Sequence, residues 1–355
     1  MVDQEWGVAI WMLLLGVAVV AFVFYDAFVT TVSGVSAGGP VSHYLGLGVW
    51  RGLRRLARSP RSSVLAAAGP LSVFVMLVFW LFGLWAGWTL VFSADPGAVL
   101  HSDTGEPADG WSRVYFAGFT VYTLGLGDFA PAGAVWQVLT AVATINGFVL
   151  LTMTVSYLIP VVMAVSERFQ HGMVLHGLGD TAQDLVTAAW NGRDFSEFTP
   201  HLRDMAPVVS RTTQKYLSYP VLHFFHSPSR DTALEPGIAV LDEALLLLEH
   251  GVAEDVRPHP MQLRPLRCAL DRFGAVVVSE FIGTADEAPP PPSLEPLRRA
   301  GIPVVDEAVF ADSVDTRQDQ RRVLAGFIAD ARWPWDAGVE VDAAPGDDGE
   351  PPAGS

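Results

Sequence analysis

Cysteine is almost missing: Cys268 is the only one in 355 residues. A lone cysteine excludes an intrachain disulfide and any cysteine-rich metal site. Lysine is as scarce, with Lys215 its sole representative. Charge of either sign is absent from residues 6–25, 62–94 and 129–165. No G-x-G-x-x-G follows a strand pattern, and no P-loop or EF-hand pattern occurs, so the usual sequence warrants for a bound nucleotide or calcium ion are lacking. His223 and His226 stand at i and i+3, a spacing two metal ligands can share, but no third ligand accompanies them. No nucleophile–base pair stands out, and an enzyme is not expected. The net charge is −16, and residues 166–355 alone carry 30 acidic and 16 basic side chains, hence −14. That balance argues against a nucleic-acid surface and for a strongly solvated C-terminal domain.

What is present is apolar length. A membrane-spanning helix needs about 20 predominantly apolar residues, and each uncharged run supplies them. A signal peptide is the alternative for the first run, but that run is long, and the acidic "MVDQE" replaces a basic leader. Between the first two runs lies "RGLRRLARSPR", with Arg51, Arg54, Arg55, Arg58 and Arg61 and no acid. Short arginine-rich loops stay in the cytoplasm, so the N-terminus is expected outside and everything after about residue 165 inside. The loop from Asp95 to Asp109, with four acids, then lies outside. The arginine cluster has a second reading as a contact for anionic lipid heads. A voltage sensor is disfavoured, because these arginines lie outside the apolar runs. Asp26 falls at the inner end of the first span, where an interfacial acid is expected.

Between the second and third spans, Asp109 precedes "GWSRVYFAGFTVYT", about three helical turns of mostly apolar residues with Asp109 as N-cap. It is too short to cross a bilayer about 30 Å thick and long enough to re-enter one. The backbone after a re-entrant helix is tolerated only where it is buried or lines a water-filled path. The next residues are Thr123-Leu124-Gly125-Leu126-Gly127-Asp128. Glycine permits backbone conformations that put successive carbonyls on one side, where they replace an ion's water shell, as the filter loops of potassium channels do.

These residues resemble the two-helix pore module of potassium channels, whose filter has the form T-x-G-[Tyr/Phe/Leu]-G-[Asp/Asn]. Residues 71–93 match the outer helix, 111–122 the pore helix, 123–128 the filter and 134–165 the inner helix. The resemblance implies an all-α membrane protein working as a homotetramer, with K⁺ as the permeant ion and no cofactor. It implies that Thr123, Leu124, Gly125, Leu126 and Gly127 supply the filter and Asp128 its outer anchor, the ion binding at those residues only. It makes Gly147, nineteen residues after Asp128, a hinge of the inner helix, and Pro160 adds a lower kink. Phe148, Leu151, Val155 and Ile159 share a helical face and are candidates to line the inner cavity. Two departures stand out: Leu126 replaces the commoner tyrosine, and Phe119 sits where some members carry a glutamate.

The expected organisation is an additional transmembrane helix (1–30), a basic cytosolic linker (31–61), the pore domain (62–165), a mainly helical cytosolic domain (166–336) and a disordered acidic tail (337–355). In the cytosolic domain, "GIAVLDEALLLLEHGV" and "RRVLAGFIADARW" have helical apolar patterns, and the prolines of 288–293 read as a stiff loop. The expected activity is passive K⁺ permeation across the plasma membrane. A non-selective cation channel and a membrane-tethered sensor or scaffold are the alternatives.

Overall fold

The computed structural model describes residues 2–32, 38–57 and 59–336. Arg58 and the expected tail at 337–355 lie outside them. The chain divides into two compact units: Met1–Arg58, Ser62–Ser166 and Lys215–His226 form the first; Ser59–Arg61, Glu167–Gln214 and Ser227–Ser355 form the second.

The first unit follows the uncharged runs. Helix α1 covers Val2–Val32, α2 Pro40–Leu56, α3 Ser63–Ala66 and α4 Ala68–Ser93. A short strand β1 (Val99–His101), helix α5 (Gly110–Val121) and strand β2 (Phe129–Pro131) lead to α6 (Gly133–His176). Three stretches, Gly7–Val32, Ser63–Ser93 and Gly133–His176, are long and apolar enough to cross a membrane. α1 packs on α4 through missing side chains. A Cβ at Gly16 would fall 2.7 Å from the Gly87 carbonyl, and one at Gly87 would fall 2.7 Å from Val20. Small residues of this kind let apolar helices approach closely where no hydrophobic effect drives them together.

Asp26 differs from its expectation as an interfacial acid. It is fully buried. Its Oδ1 accepts from the Val41 N–H at 2.8 Å and the Ser42 N–H at 3.3 Å, and its Oδ2 accepts from the Ser42 hydroxyl and from Trp80 Nε1 at 2.8 Å. The carboxylate thus caps α2 from a distance, satisfying two N–H groups at its start that have no partner within the helix. This explains how an acid is accommodated inside an apolar unit: each of these contacts brings a donor. α2 occupies part of the stretch expected as a linker. Ser42, Gly46 and Trp50, four residues apart, form its buried stripe.

Lys215–His226, inside the stretch assigned from sequence to the C-terminal domain, packs with this first unit. Phe224 fills the space left by Gly46, and Phe225 the space left by Gly69. His223 and His226 are buried with their rings about Trp50, at centroid distances of 6.0 and 6.3 Å. Among the described residues no group of three or more His, Cys, Asp or Glu side chains is placed to hold a metal ion.

The second unit takes the last turns of α6 together with α7 (Ala182–Ala189), α8 (Thr199–Ser218, up to Gln214), α9 (Leu234–Leu246), α10 (Pro260–Glu280), α11 (Glu295–Arg299), α12 (Glu307–Asp315) and α13 (Gln318–Asp330). α9 is buried along its whole length, although it carries Glu235, Asp242 and Glu243. Each acid meets an arginine from another helix: Arg168 at Glu235, Arg267 at Asp242 (2.7 Å) and Arg321 at Glu243 (2.6 Å). Arg321 also donates to the carbonyls of Pro289 and Pro290, at 2.9 and 2.7 Å. A proline lacks the N–H but keeps its acceptor, so the proline-rich loop completes a buried charge site. The protein is mainly helical, as expected of an all-α membrane protein, and β1 and β2 add only a three-residue antiparallel pairing.

Candidate ion pathway and its outer mouth

α5 starts where expected. The Asp109 side chain accepts from the Ser112 N–H at 2.7 Å, and that bond holds the carboxyl below its ordinary range. The second half of α5, Phe116 to Val121, is buried. Phe92 of α4 meets Phe116 edge-on at 5.0 Å. A Cβ on Gly118 would come to 3.1 Å from Trp85 Nε1, which donates to the Val114 carbonyl at 2.9 Å. The Tyr122 hydroxyl donates to Leu81 O at 3.2 Å.

The backbone then leaves the helix in an alternating conformation. Thr123, Gly125 and Gly127 have φ of 61°, 57° and 87°, while Leu124 and Leu126 between them are not left-handed. Glycine takes that region freely. Thr123 does not, and a β-branched residue held there stores about 1–3 kcal/mol of strain, which persists only where the surroundings determine it. Part of that determination is visible: the Thr123 N–H donates to Thr120 O at 3.2 Å and the Leu124 N–H to Phe119 O at 2.8 Å. These bonds use carbonyls at the end of α5 that a helix leaves without partners. Residues 123–128 are themselves exposed in the single chain.

Asp128 is held from α5: the Tyr115 hydroxyl donates to Asp128 Oδ2 at 3.0 Å. A second hold comes from the loop after β1. Ser102 Oγ donates to the Gly127 carbonyl at 2.6 Å, and the Ser102 N–H donates to Asp128 O at 2.9 Å. Ser102 follows β1, whose residues Val99, Leu100 and His101 pair with Pro131, Ala130 and Phe129. The loop is therefore hydrogen-bonded along residues 127–131. Sequence reasoning found neither Ser102 nor Tyr115, since no motif joins residues this far apart.

The other candidates divide. Gly147 meets the end of the pore helix: a Cβ there would lie 1.8 Å from the Val121 carbonyl. Close approach, rather than bending, is what the geometry requires of it. α6 runs on through Gly147 and through Pro160. Phe148, Leu151, Val155 and Ile159 are all more than half exposed along one face of α6, while Leu150, Tyr157 and Val161 are buried on another. Phe148 and Pro160, with Thr31, Thr152, Tyr157 and Tyr219, line a cavity of about 330 Å³ that Leu151 and Val155 do not reach. Of the arginines, Arg51 and Arg55 are exposed and Arg54 is half-buried, all three towards the end of α2. Arg61 is grouped with the second unit, where it lines a separate cavity with Arg230 and Trp333.

Residues 75–164 match the model of a family described as "Ion channel". Over 311 residues the chain is 33% identical to the uncharacterized membrane protein YdjJ of Bacillus subtilis (strain 168), an alignment covering 87% of this chain and 91% of that one. No solved structure matches it. The capped α5 and the alternating backbone fall inside the matched stretch: residues 75–164 are an ion-channel domain, and the chain as a whole belongs to the family of this membrane protein.

Proposed function

We propose that this protein is a potassium-selective channel, passing K⁺ down its electrochemical gradient across the plasma membrane. The observation that carries the reading is the left-handed backbone at Thr123, Gly125 and Gly127, each followed by a residue of ordinary handedness. Such alternation turns successive carbonyls towards one side, where they substitute for an ion's hydration shell. One chain offers one strip of carbonyls, so a closed coordination shell needs four, and the working unit is a homotetramer. The exposed strip and the exposed apolar face of α6 around Phe148, Leu151 and Val155 are surfaces such an assembly covers. The pore helix directs its partly negative C-terminus at the strip, favouring a cation there. The N-terminus lies outside and the second unit in the cytoplasm, with Arg51, Arg54 and Arg55 of α2 at the anionic inner leaflet.

The test is flux through the purified protein in liposomes, with K⁺, Rb⁺, Na⁺ and Li⁺ compared on one preparation. K⁺ and Rb⁺ are expected to pass and Na⁺ and Li⁺ to be held back. Equal K⁺ and Na⁺ flux turns the assignment into a non-selective cation channel, and absence of flux favours a scaffold role for the pore module.

A further inference from the structure

The geometry points to Ser102, in the loop before the pore helix, as the positioning residue of the filter's outer end. This deepens the channel reading and rests on it. The outermost filter peptide, Gly127 to Asp128, is gripped at both of its neighbouring carbonyls by one residue: the Ser102 hydroxyl donates to Gly127 O at 2.6 Å and the Ser102 N–H to Asp128 O at 2.9 Å. Gly127 has no side chain to resist rotation, and its φ of 87° leaves it free to exchange between two hands of backbone. Without a donor to hold it, that carbonyl can turn into or away from the ion path at little cost. Ser102 removes the choice.

The grip is itself braced. Ser102 adjoins His101, which pairs with Phe129 across the β1–β2 sheet and whose ring meets the Phe129 ring edge-on at 5.2 Å. The His101 N–H donates to Glu106 O at 2.8 Å and the Gly105 N–H to His101 O at 2.9 Å, closing the loop on itself. At Ala132, beyond the filter, the N–H donates to Ala98 O at 2.9 Å. The serine therefore stands on a framework hydrogen-bonded to the chain on the far side of the filter. The Tyr115 hydroxyl holds only the Asp128 carboxylate, so the Gly127 carbonyl depends on the loop.

Ser102→Ala separates hydroxyl from fold, because it keeps the backbone N–H bond and the sheet. In liposome flux, Ser102→Ala is expected to lower the K⁺ to Na⁺ ratio about fivefold, the scale of one neutral hydrogen bond, with a thermal midpoint within a few degrees of wild type. Ser102→Thr, which retains the hydroxyl, is expected to restore the ratio. In parallel, hydrogen–deuterium exchange by mass spectrometry on the same vesicles is expected to show faster exchange across 124–128 in Ser102→Ala and wild-type exchange in Ser102→Thr. A ratio and an exchange rate both unchanged in Ser102→Ala overturn the proposal, as does Ser102→Thr behaving like alanine. If the wild type itself does not discriminate K⁺ from Na⁺, potassium selectivity falls, and the exchange arm still decides whether Ser102 holds the filter.

Discussion

At Gly147 two explanations of one glycine make different predictions. A hinge needs backbone freedom, whereas a packing contact needs an absent side chain. A Cβ 1.8 Å from the Val121 carbonyl is far inside any contact distance, and the atom it meets is backbone at the end of the pore helix. Gly147→Ala is therefore expected to push α6 off α5. The cost reaches or exceeds the roughly 1–3 kcal/mol typical of overpacking. Measured in detergent, the thermal midpoint should fall, and any flux should fall with it because residues 123–128 hang from α5. A variant with altered opening at an unchanged midpoint identifies a hinge instead. The resemblance to potassium channels marks Gly147 as special, but the carbonyl it faces comes from a segment more than twenty positions away, which no pattern along α6 reveals.

At the scale of the element, α9 is the clearest case of sequence and environment pulling apart. Its apolar run reads as a helix, and a helix it is. Its acids, however, suggest one solvated face, and none exists. Glu235, Asp242 and Glu243 are all buried and are matched by arginines from α6, α10 and α13. Removing one partner of such a pair strands the other and costs about 3–5 kcal/mol. Burial pushes the Glu243 carboxyl up to about 7 against the pull of Arg321. A carboxyl raised in the folded state adds stability that is complete below its ordinary value of 4.5 and lost as pH rises through about 7. Arg321→Met takes away the counter-charge, so its destabilisation is expected to be large at pH 8 and smaller at pH 5, where Glu243 carries a proton. Thermal unfolding at both values checks this, and an equal loss at both shows that Glu243 does not take up the missing charge.

For the molecule as a whole, the division into units does not follow the order of the chain. The stretch Lys215–His226 belongs with the membrane helices although α7 and most of α8 lie between them. Phe224 sits 3% exposed against Gly46 and beside Trp50. Burying a phenylalanine is worth about 1.5–3 kcal/mol. A chain cut after Ser166 is therefore expected to melt below the full protein and to change the fluorescence of Trp50. Retention of the full-length midpoint shows that the 215–226 segment is dispensable to the first unit. The same contact explains why a simple truncation is a poor test of what the second unit does: it also removes part of the first.

What the sequence determined by itself was everything that depends on neighbours along the chain. Three uncharged runs became three apolar helices, Asp109 capped α5, and Gly125 and Gly127 of the Thr-Leu-Gly-Leu-Gly-Asp stretch took the left-handed backbone open to glycine. Apolar length, a cap and glycine's freedom act within a few residues, so they are legible before folding. Only the tertiary structure decided where polar groups found partners. Asp26 is buried because donors from α2 and α4 converge on it, α9 carries acids because arginines from three other helices reach it, and the Gly127 carbonyl is held by a serine from the loop after β1. A buried charge or a free carbonyl is satisfied in space, by whichever donor the packing brings, and that donor leaves no mark in the sequence around the group it serves.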